Sequence, residues 1–102
     1  MIVAFLLLSA IQAAPPQGFT PAEQRAVVAT MECQRDYLDS IPRRERRRGG
    51  EAVIEAAYAA CAREEAALRA LLATRFDARS VERALEMVRD GSREGMLRYI
   101  RR

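Results

Sequence analysis

Two cysteines at equal distances from a helix-breaking segment constrain the fold of this chain more than any other feature. The midpoint of Cys33 and Cys61 is residue 47, and the breaker segment 42–50, with one proline and two adjacent glycines, is centred on residue 46. Antiparallel helices joined by a short turn place residues equidistant from the turn at the same height. Because both cysteines fall on apolar helix faces, hairpin geometry predicts a Cys33–Cys61 disulfide.

Two alternatives remain for this cysteine pair, namely a redox-active pair and two buried free thiols. A redox-active pair favours C-x-x-C spacing or an electropositive setting for one thiol, whereas Glu32 lies beside Cys33. In an exported protein the pair is expected to oxidise. Closing a loop of about 28 residues would stabilise the fold by about 3.5 kcal/mol on the chain-entropy model.

Apolar residues recur at helical spacing on both sides of the breaker segment. The first helix is predicted to begin at Thr20, which can form a capping box with Glu23, and to end before Pro42. A second helix is predicted over residues 51–76. Its surface offers Glu65 and Arg69, four residues apart, as an ion pair. Phe19 is placed to pack as a hydrophobic staple before the first helix.

A third helix is predicted from residue 81 onward, with Ser80 as its cap. It either continues to about residue 101 or breaks near Gly91 and Ser92, where a new cap can form. Gly91 and Gly95 share its apolar face, and close packing against another helix is one reason to keep them there. The helix against which these glycines would pack belongs either to the same chain or to a second copy in a dimer, so the sequence leaves the oligomeric state open.

No segment shows the alternation or the β-branched clusters of a strand. The predicted fold class is therefore all-α: a disulfide-stapled antiparallel helical hairpin plus a third C-terminal helix, a small three-helix bundle. Residues 20–102 form its single helical domain. The predicted core comprises Val27, Met31, Tyr37, Leu38, Ile54, Tyr58, Leu68, Leu72, Val81, Leu85 and Val88.

The N-terminus resembles an export signal. All charged residues lie at or beyond Glu23, and residues 1–14 form an apolar block that ends in small residues. We predict a signal peptide over 1–14 and an extended linker over 15–19, and hence a periplasmic or secreted protein. A retained membrane anchor and a core helix are the alternatives, although 14 residues are too few for a spanning helix of about 20.

The basic charge of the chain comes from arginine alone, and it is concentrated in the breaker segment. The candidate anion-binding residues there are Arg43, Arg44, Arg46, Arg47 and Arg48. With Glu45 they carry a local charge of +4, against +3 for the whole chain. One interpretation is a solvated turn that neutralises the carboxyl end of the first helix. A second is a loop that binds anionic lipid or polymer, and a third is nucleic-acid binding, which an exported compartment disfavours.

The composition leaves little room for catalysis. The chain has no histidine, which excludes Ser-His-Asp and Cys-His arrangements, and it has no glycine-rich phosphate loop. The acidic row of Glu82, Glu86 and Asp90 is expected to be a solvated face rather than a cation site. We therefore expect no enzyme activity, no cofactor and no metal site.

Residues 55–72 read Glu-Ala-Ala-Tyr-Ala-Ala-Cys-Ala-Arg-Glu-Glu-Ala-Ala-Leu-Arg-Ala-Leu-Leu. With a cysteine in each of two helices and a signal-like start, the chain resembles uncharacterised small exported helical proteins of GC-rich proteobacteria. That resemblance implies a location and a fold but no activity. Residues 19–24 are also similar to the Leu-Thr-x-x-Gln signature of periplasmic stress chaperones of the Spy/CpxP type, with Glu23 in place of the Gln and no second copy.

Taken together, these features predict a non-enzymatic exported interaction module for a protein or envelope partner. One alternative is a peripheral binder of anionic membrane or envelope polymer through the Arg-rich segment 43–48. Another is a small periplasmic chaperone or inhibitor with an exposed apolar groove. No nucleic-acid partner is expected, and no transmembrane span is expected in the mature chain.

Overall fold

A computed structural model describes residues 18–102, and all regular secondary structure in this part of the chain is helical, without strands. The all-α fold class is therefore confirmed. The predicted signal peptide, and all of the predicted linker before Gly18, lie outside the described residues. The five helices are α1 (Pro21–Asp39), α2 (Arg43–Gly49), α3 (Glu51–Ala60), α4 (Ala62–Ala73) and α5 (Ala78–Arg101).

The start of α1 is the predicted capping box. The backbone N–H of Glu23 donates to the Thr20 hydroxyl at 3.1 Å, and the Thr20 N–H donates back to the Glu23 carboxylate at 2.9 Å. Pro21 fits the first helical position, where no backbone N–H is needed. Phe19, the predicted staple residue, is partly buried against the hydrophobic cluster around Leu68.

The predicted turn at 42–50 is wrong in one respect, because residues 43–49 form the helix α2. Arginine has a high helix propensity, and four more of these residues follow Arg43. Helix α2 ends at two glycines, and each position requires glycine for a different reason. Gly50 adopts a φ of 50°, which disfavours a side chain. A Cβ at Gly49 would collide with the Val53 side chain.

The predicted second helix is interrupted at Cys61 and ends at Ala73 rather than at residue 76. Cys61 has a φ of −109° and a ψ of 23°, outside the helical range, and it separates α3 from α4. The break coincides with the disulfide: Cys33 and Cys61 are bonded, with their Cα atoms 5.9 Å apart. The predicted pairing is confirmed, and it ties α1 to the α3–α4 junction.

The third predicted helix is continuous, since α5 passes through both of its glycines without a break. Asp77 is its cap, not Ser80, because the Asp77 carboxylate accepts from the Ser80 N–H at 2.8 Å. Close helix packing does not explain the glycines either. A Cβ built at Gly91 or at Gly95 meets nothing within 4 Å.

The core consists of two clusters at opposite ends of the bundle. Near the carboxyl ends of α1 and α5 lie Leu38, Ile54, Ala57, Met96 and Ile100. Near their amino ends lie Leu68, Leu72, Val81 and Leu85. The predicted core residues Val27, Tyr37, Tyr58 and Val88 pack against these clusters while partly buried. Met31 does not, because 45% of it is exposed.

Helix α1 makes most of its contacts with α4 and α3, and α5 closes the bundle with fewer contacts to α1. The predicted Glu65–Arg69 pair within one helix is replaced by pairs to α5. Glu65 binds Arg89 at 2.7 Å, and Arg69 binds Glu82. Cross-helix pairs therefore replace a local one. No helix within residues 18–102 has the length and apolarity needed to cross a membrane.

Candidate anion-binding site

The Arg-rich helix α2 lies against the carboxyl end of α5, and two arginine side chains hold them together. Arg43 donates through Nε to the main-chain oxygen of Arg102 at 2.7 Å, and Arg47 donates to that of Arg101 at 3.0 Å. The last carbonyls of a helix lack intrahelical donors and carry partial negative charge. We call α2 together with residues 98–102 the basic end.

Arg46 binds main-chain oxygens at the carboxyl end of α1 in the same way. One of its Nη atoms donates to the carbonyl oxygens of Leu38 at 2.9 Å and Ile41 at 3.0 Å. The side chain therefore caps the carboxyl end of α1, as the interpretation of a dipole-neutralising turn predicts. Its Nε atom is buried and has no partner among residues 18–102. Arg46 thus points into the protein rather than toward a ligand.

The ring of Tyr99 gathers the guanidinium groups of three different segments. Arg35 lies 4.3 Å from the ring centroid, Arg46 lies 5.0 Å away and Arg102 lies 5.7 Å away. These are distances at which a guanidinium is attracted to the negative face of an aromatic ring. The Tyr99 hydroxyl donates to the carboxylate of Asp39. Tyr99 therefore contacts three guanidinium groups and one carboxylate.

None of the five candidate arginines forms an ion pair within the described part of the chain. The ion pairs found there involve Arg69, Arg75, Arg89, Arg93 and Arg98. Arg44 and Arg48 are exposed, and a shallow surface depression is lined by Arg43, Arg44 and Arg47. Arg44 and Arg48 keep all of their donors for carboxylates or phosphates, whereas Arg43 and Arg47 each use one donor on a main-chain oxygen.

The structure thus divides the predicted site residues into two groups. Arg43, Arg44, Arg47 and Arg48 are exposed at the basic end, whereas Arg46 is half-buried and structural. Sequence reasoning missed Tyr99, which lies within the basic end, and Arg35, which joins it from α1. A tyrosine next to the C-terminal arginines was the one available signal. The position of Arg35 depends on how α1 lies against α5, which no local pattern indicates.

The opposite end of the molecule contains a buried ion pair that the sequence did not indicate. Glu23 is only 2% exposed, and Arg75 binds both of its carboxylate oxygens, at 2.6 and 2.8 Å. Arg75 also donates to the carbonyl of Gly18. The hydrogen bond from Arg75 lowers the pKa of Glu23, with burial acting in the opposite direction and the Thr20 N–H contributing further. The carboxylate therefore stays charged while buried.

The disulfide also has an acidic neighbour. The two sulfur atoms and a carboxylate oxygen of Glu64 all lie within 4.8 Å of one another. Thiolate is the form of cysteine that binds metal ions, and both sulfur atoms here are consumed by the bond between them. The cluster in its oxidised form therefore offers one carboxylate, which is too little for a zinc site.

Comparisons of this chain with protein-family models, with curated proteins and with solved structures find no match.

Proposed function

We propose that the protein is an exported, non-enzymatic interaction module that binds an anionic partner through its basic end. The observation that carries the proposal is the set of exposed arginines in α2 without a carboxylate partner among the described residues. Elsewhere in the bundle, arginine is repeatedly paired with glutamate. A surface of unpaired guanidinium groups attracts anions and accelerates their association.

Export is supported by two features. One is the apolar, uncharged N-terminal block before a linker rich in proline. The other is the disulfide, which is typical of oxidising compartments and rare in the cytosol. An exported basic surface meets lipid phosphates, anionic polymers and acidic proteins. The proposed module is a disulfide-stapled helical bundle of the kind that the resemblance to small exported proteins implies.

The proposal of a binding role rather than catalysis depends on the side chains available. The chain has no histidine and no lysine, and both cysteines are bonded, so a carboxyl group with a raised pKa is the main remaining source of general acid–base chemistry near neutral pH. The one buried glutamate has its pKa lowered instead. The acidic row of α5 does not supply such a group either, because Glu82 is bound to Arg69 and all three of its residues are exposed.

The test measures binding of the protein to two anionic probes. Co-sedimentation with phosphatidylglycerol vesicles, and fluorescence anisotropy with labelled poly-glutamate, are each run at low and at high salt. We expect binding to at least one probe, no binding to neutral phosphatidylcholine vesicles, and a loss of affinity at high salt. In the R44Q/R48Q double variant, two exposed cations disappear, and at about 1 kcal/mol per arginine we expect affinity to fall about 30-fold.

The matched control is the R25Q/R63Q double variant. It removes the same charge from two exposed arginines outside the basic end, and it should bind like the unmodified protein. An equal loss in both variants would mean that net charge alone drives binding. That result, or equal binding to anionic and neutral vesicles, contradicts the proposed site.

A second candidate function, a small chaperone or inhibitor, is favoured by the exposed apolar side chains. Val28, Met31, Phe76 and Met87 are the large hydrophobic residues that remain exposed in the described region. Binding of a hydrophobic dye by the folded protein, and suppression of client aggregation at high salt, would favour this function. The basic end does not contribute under those conditions, so the two functions are separable.

A further inference from the structure

A groove separates α1 from α5 in the carboxyl-terminal half of both helices. Its lining is mostly apolar, and two buried polar residues, Gln34 and Ser92, contribute to it. Gly95 lies in the wall, where the absence of a side chain leaves the groove open. The complete lining consists of Met31, Gln34, Arg35, Leu38, Ser92, Gly95, Met96 and Tyr99.

The size of the groove limits what can enter it. Its volume is about 150 Å³, comparable to a cavity of about 150 Å³ that accommodates benzene. Pockets for drug-sized ligands usually measure about 300–1,000 Å³. The groove is therefore suited to one large apolar side chain of a partner rather than to a lipid chain or a cofactor.

The charge at one end of the groove indicates the character of that partner. Arg35 and Tyr99 form this end, and the same ring is approached by Arg46 and Arg102. Arg35 has no ion-pair partner among residues 18–102. Glu32 and Asp36 do not line the groove, but they line a neighbouring depression that shares Met31 and Arg35 with it. An apolar side chain flanked by carboxylates would match this surface.

The chain itself carries a surface of that description on α5. Met87 is 54% exposed, and Glu86 and Asp90 lie beside it in the same surface depression, together with Arg83. Glu86 and Asp90 form no ion pair within the described residues. Methionine is flexible and adapts its shape to irregular apolar gaps. This surface is called the Met87 knob below, and it comprises Met87, Glu86 and Asp90.

We propose that the partner of the α1–α5 groove is a second copy of this chain, which inserts its Met87 knob. Met87 occupies the space beside Gly95, and the carboxylates of Glu86 and Asp90 approach Arg35. This inference does not depend on the proposed function of the basic end. Groove and knob lie at different places on one chain, so the contact is heterologous, and each copy can bind a neighbour at either surface.

One methionine and two carboxylates form a small interface, so the association is weak. We expect a Kd of about 0.1–1 mM, in the range of transient contacts. Sedimentation equilibrium of the purified protein, from about 10 µM to about 1 mM, should then show a rising average mass. Higher salt should reduce the association, because the rim of the contact is charged.

Two variants disable opposite sides of the contact. Gly95→Leu fills the groove, and the open space around a Cβ at this position predicts that the fold tolerates it. Met87→Gln removes the apolar tip of the knob from an exposed position. Ala66→Leu is the matched control, because Ala66 is exposed on α4 and lines neither the groove nor the depression that contains Met87. Far-UV circular dichroism confirms that each variant is folded.

The decisive measurement mixes the two disabled variants. Each alone should remain monomeric at about 1 mM, about tenfold above the lower expected Kd. An equimolar mixture should form dimers and nothing larger, since only one intact groove and one intact knob remain per pair. Ala66→Leu should associate like the unmodified protein. A monomeric unmodified protein at the same concentration, undiminished association of Gly95→Leu, or a mixture without dimers would each overturn the proposal.

Discussion

The two ends of the bundle use arginine in opposite ways. At the end that contains Glu23, Arg75 is bound to a buried carboxylate and to a backbone carbonyl. At the basic end, Arg43, Arg46 and Arg47 bind main-chain oxygens, and Arg44 and Arg48 are exposed without an ion pair in the described region. A guanidinium bound to carbonyls retains its positive charge for an external anion.

This difference shows that arginine at one end stabilises the fold, whereas at the other it maintains a charged surface. A buried carboxylate needs its partner, because an unpaired buried charge is costly. An exposed arginine beside other arginines contributes little stability and repels its neighbours. The contrast therefore predicts which substitutions affect the free energy of unfolding and which affect binding.

The largest expected effect comes from the disulfide, which lies between the two ends and supports both. In the C33A/C61A variant we expect the free energy of unfolding to fall by about 3.5 kcal/mol, because the unfolded chain regains its loop entropy. Urea denaturation followed by far-UV circular dichroism measures this, since the chain has no tryptophan. A reducing agent should lower the stability of the unmodified protein to a similar degree and leave the variant unchanged. Unmodified protein that is insensitive to reduction would contradict the expectation.

The next largest effect is expected at the ion-paired end. Arg75→Gln leaves the Glu23 carboxylate buried without its partner, and we expect a loss of about 2 kcal/mol. This value is below the usual cost for a buried pair because Arg75 itself is one-third exposed. Arg79→Gln, at a nearby exposed position without an ion pair among residues 18–102, should change stability by less than about 0.5 kcal/mol. Equal effects of the two substitutions would mean that the buried pair has no special role.

At the basic end, the capping arginine should be distinguishable from its exposed neighbours. Arg46→Gln removes the donors to Leu38 and Ile41 and a stacking partner of Tyr99, so we expect a loss of about 1.5 kcal/mol. Arg48→Gln should change stability by less than about 0.5 kcal/mol while it weakens anion binding. A stability loss from Arg48→Gln as large as that from Arg46→Gln would show that both arginines are structural.

The smallest expected effect is a pH dependence at the ion-paired end. Because the folded-state pKa of Glu23 is lowered, its contribution is complete above the ordinary glutamate pKa and is lost as the pH falls through the lowered value. As the pH falls from about 6 to about 3, the unmodified protein should lose more stability than the Glu23→Gln variant. Parallel pH profiles of the two proteins would exclude this role for Glu23.

Local features of the sequence predicted much of the fold. The capping box of α1 involves residues three positions apart, and the helices follow from apolar spacing, so both depend on short-range patterns. The errors arose where tertiary contacts outweigh such patterns. Met31 has helical spacing suited to a core, yet it lies at the groove where α5 does not cover it. The segment 42–50 contains helix breakers, yet the arginines between them form a helix that caps two others.

The candidate site was only partly predictable. The arginines of α2 are adjacent in sequence, so their concentration is visible without a structure. Tyr99 and Arg35 join them from positions more than fifty residues apart along the chain, through the packing of α5 beside α1. No residue pattern within either segment indicates that meeting.

The sequence by itself determined the helical class, the disulfide and the concentration of positive charge. Helical periodicity, equal distance from a turn and local composition can all be read from the order of residues along the chain, without knowing which helices come into contact. Only the tertiary structure decided which arginines form ion pairs with carboxylates. Glu23 and Arg75 are 52 residues apart, and their pairing requires α1 to lie beside the end of α4. Charge is a property of composition, whereas its burial and pairing depend on which helices come into contact.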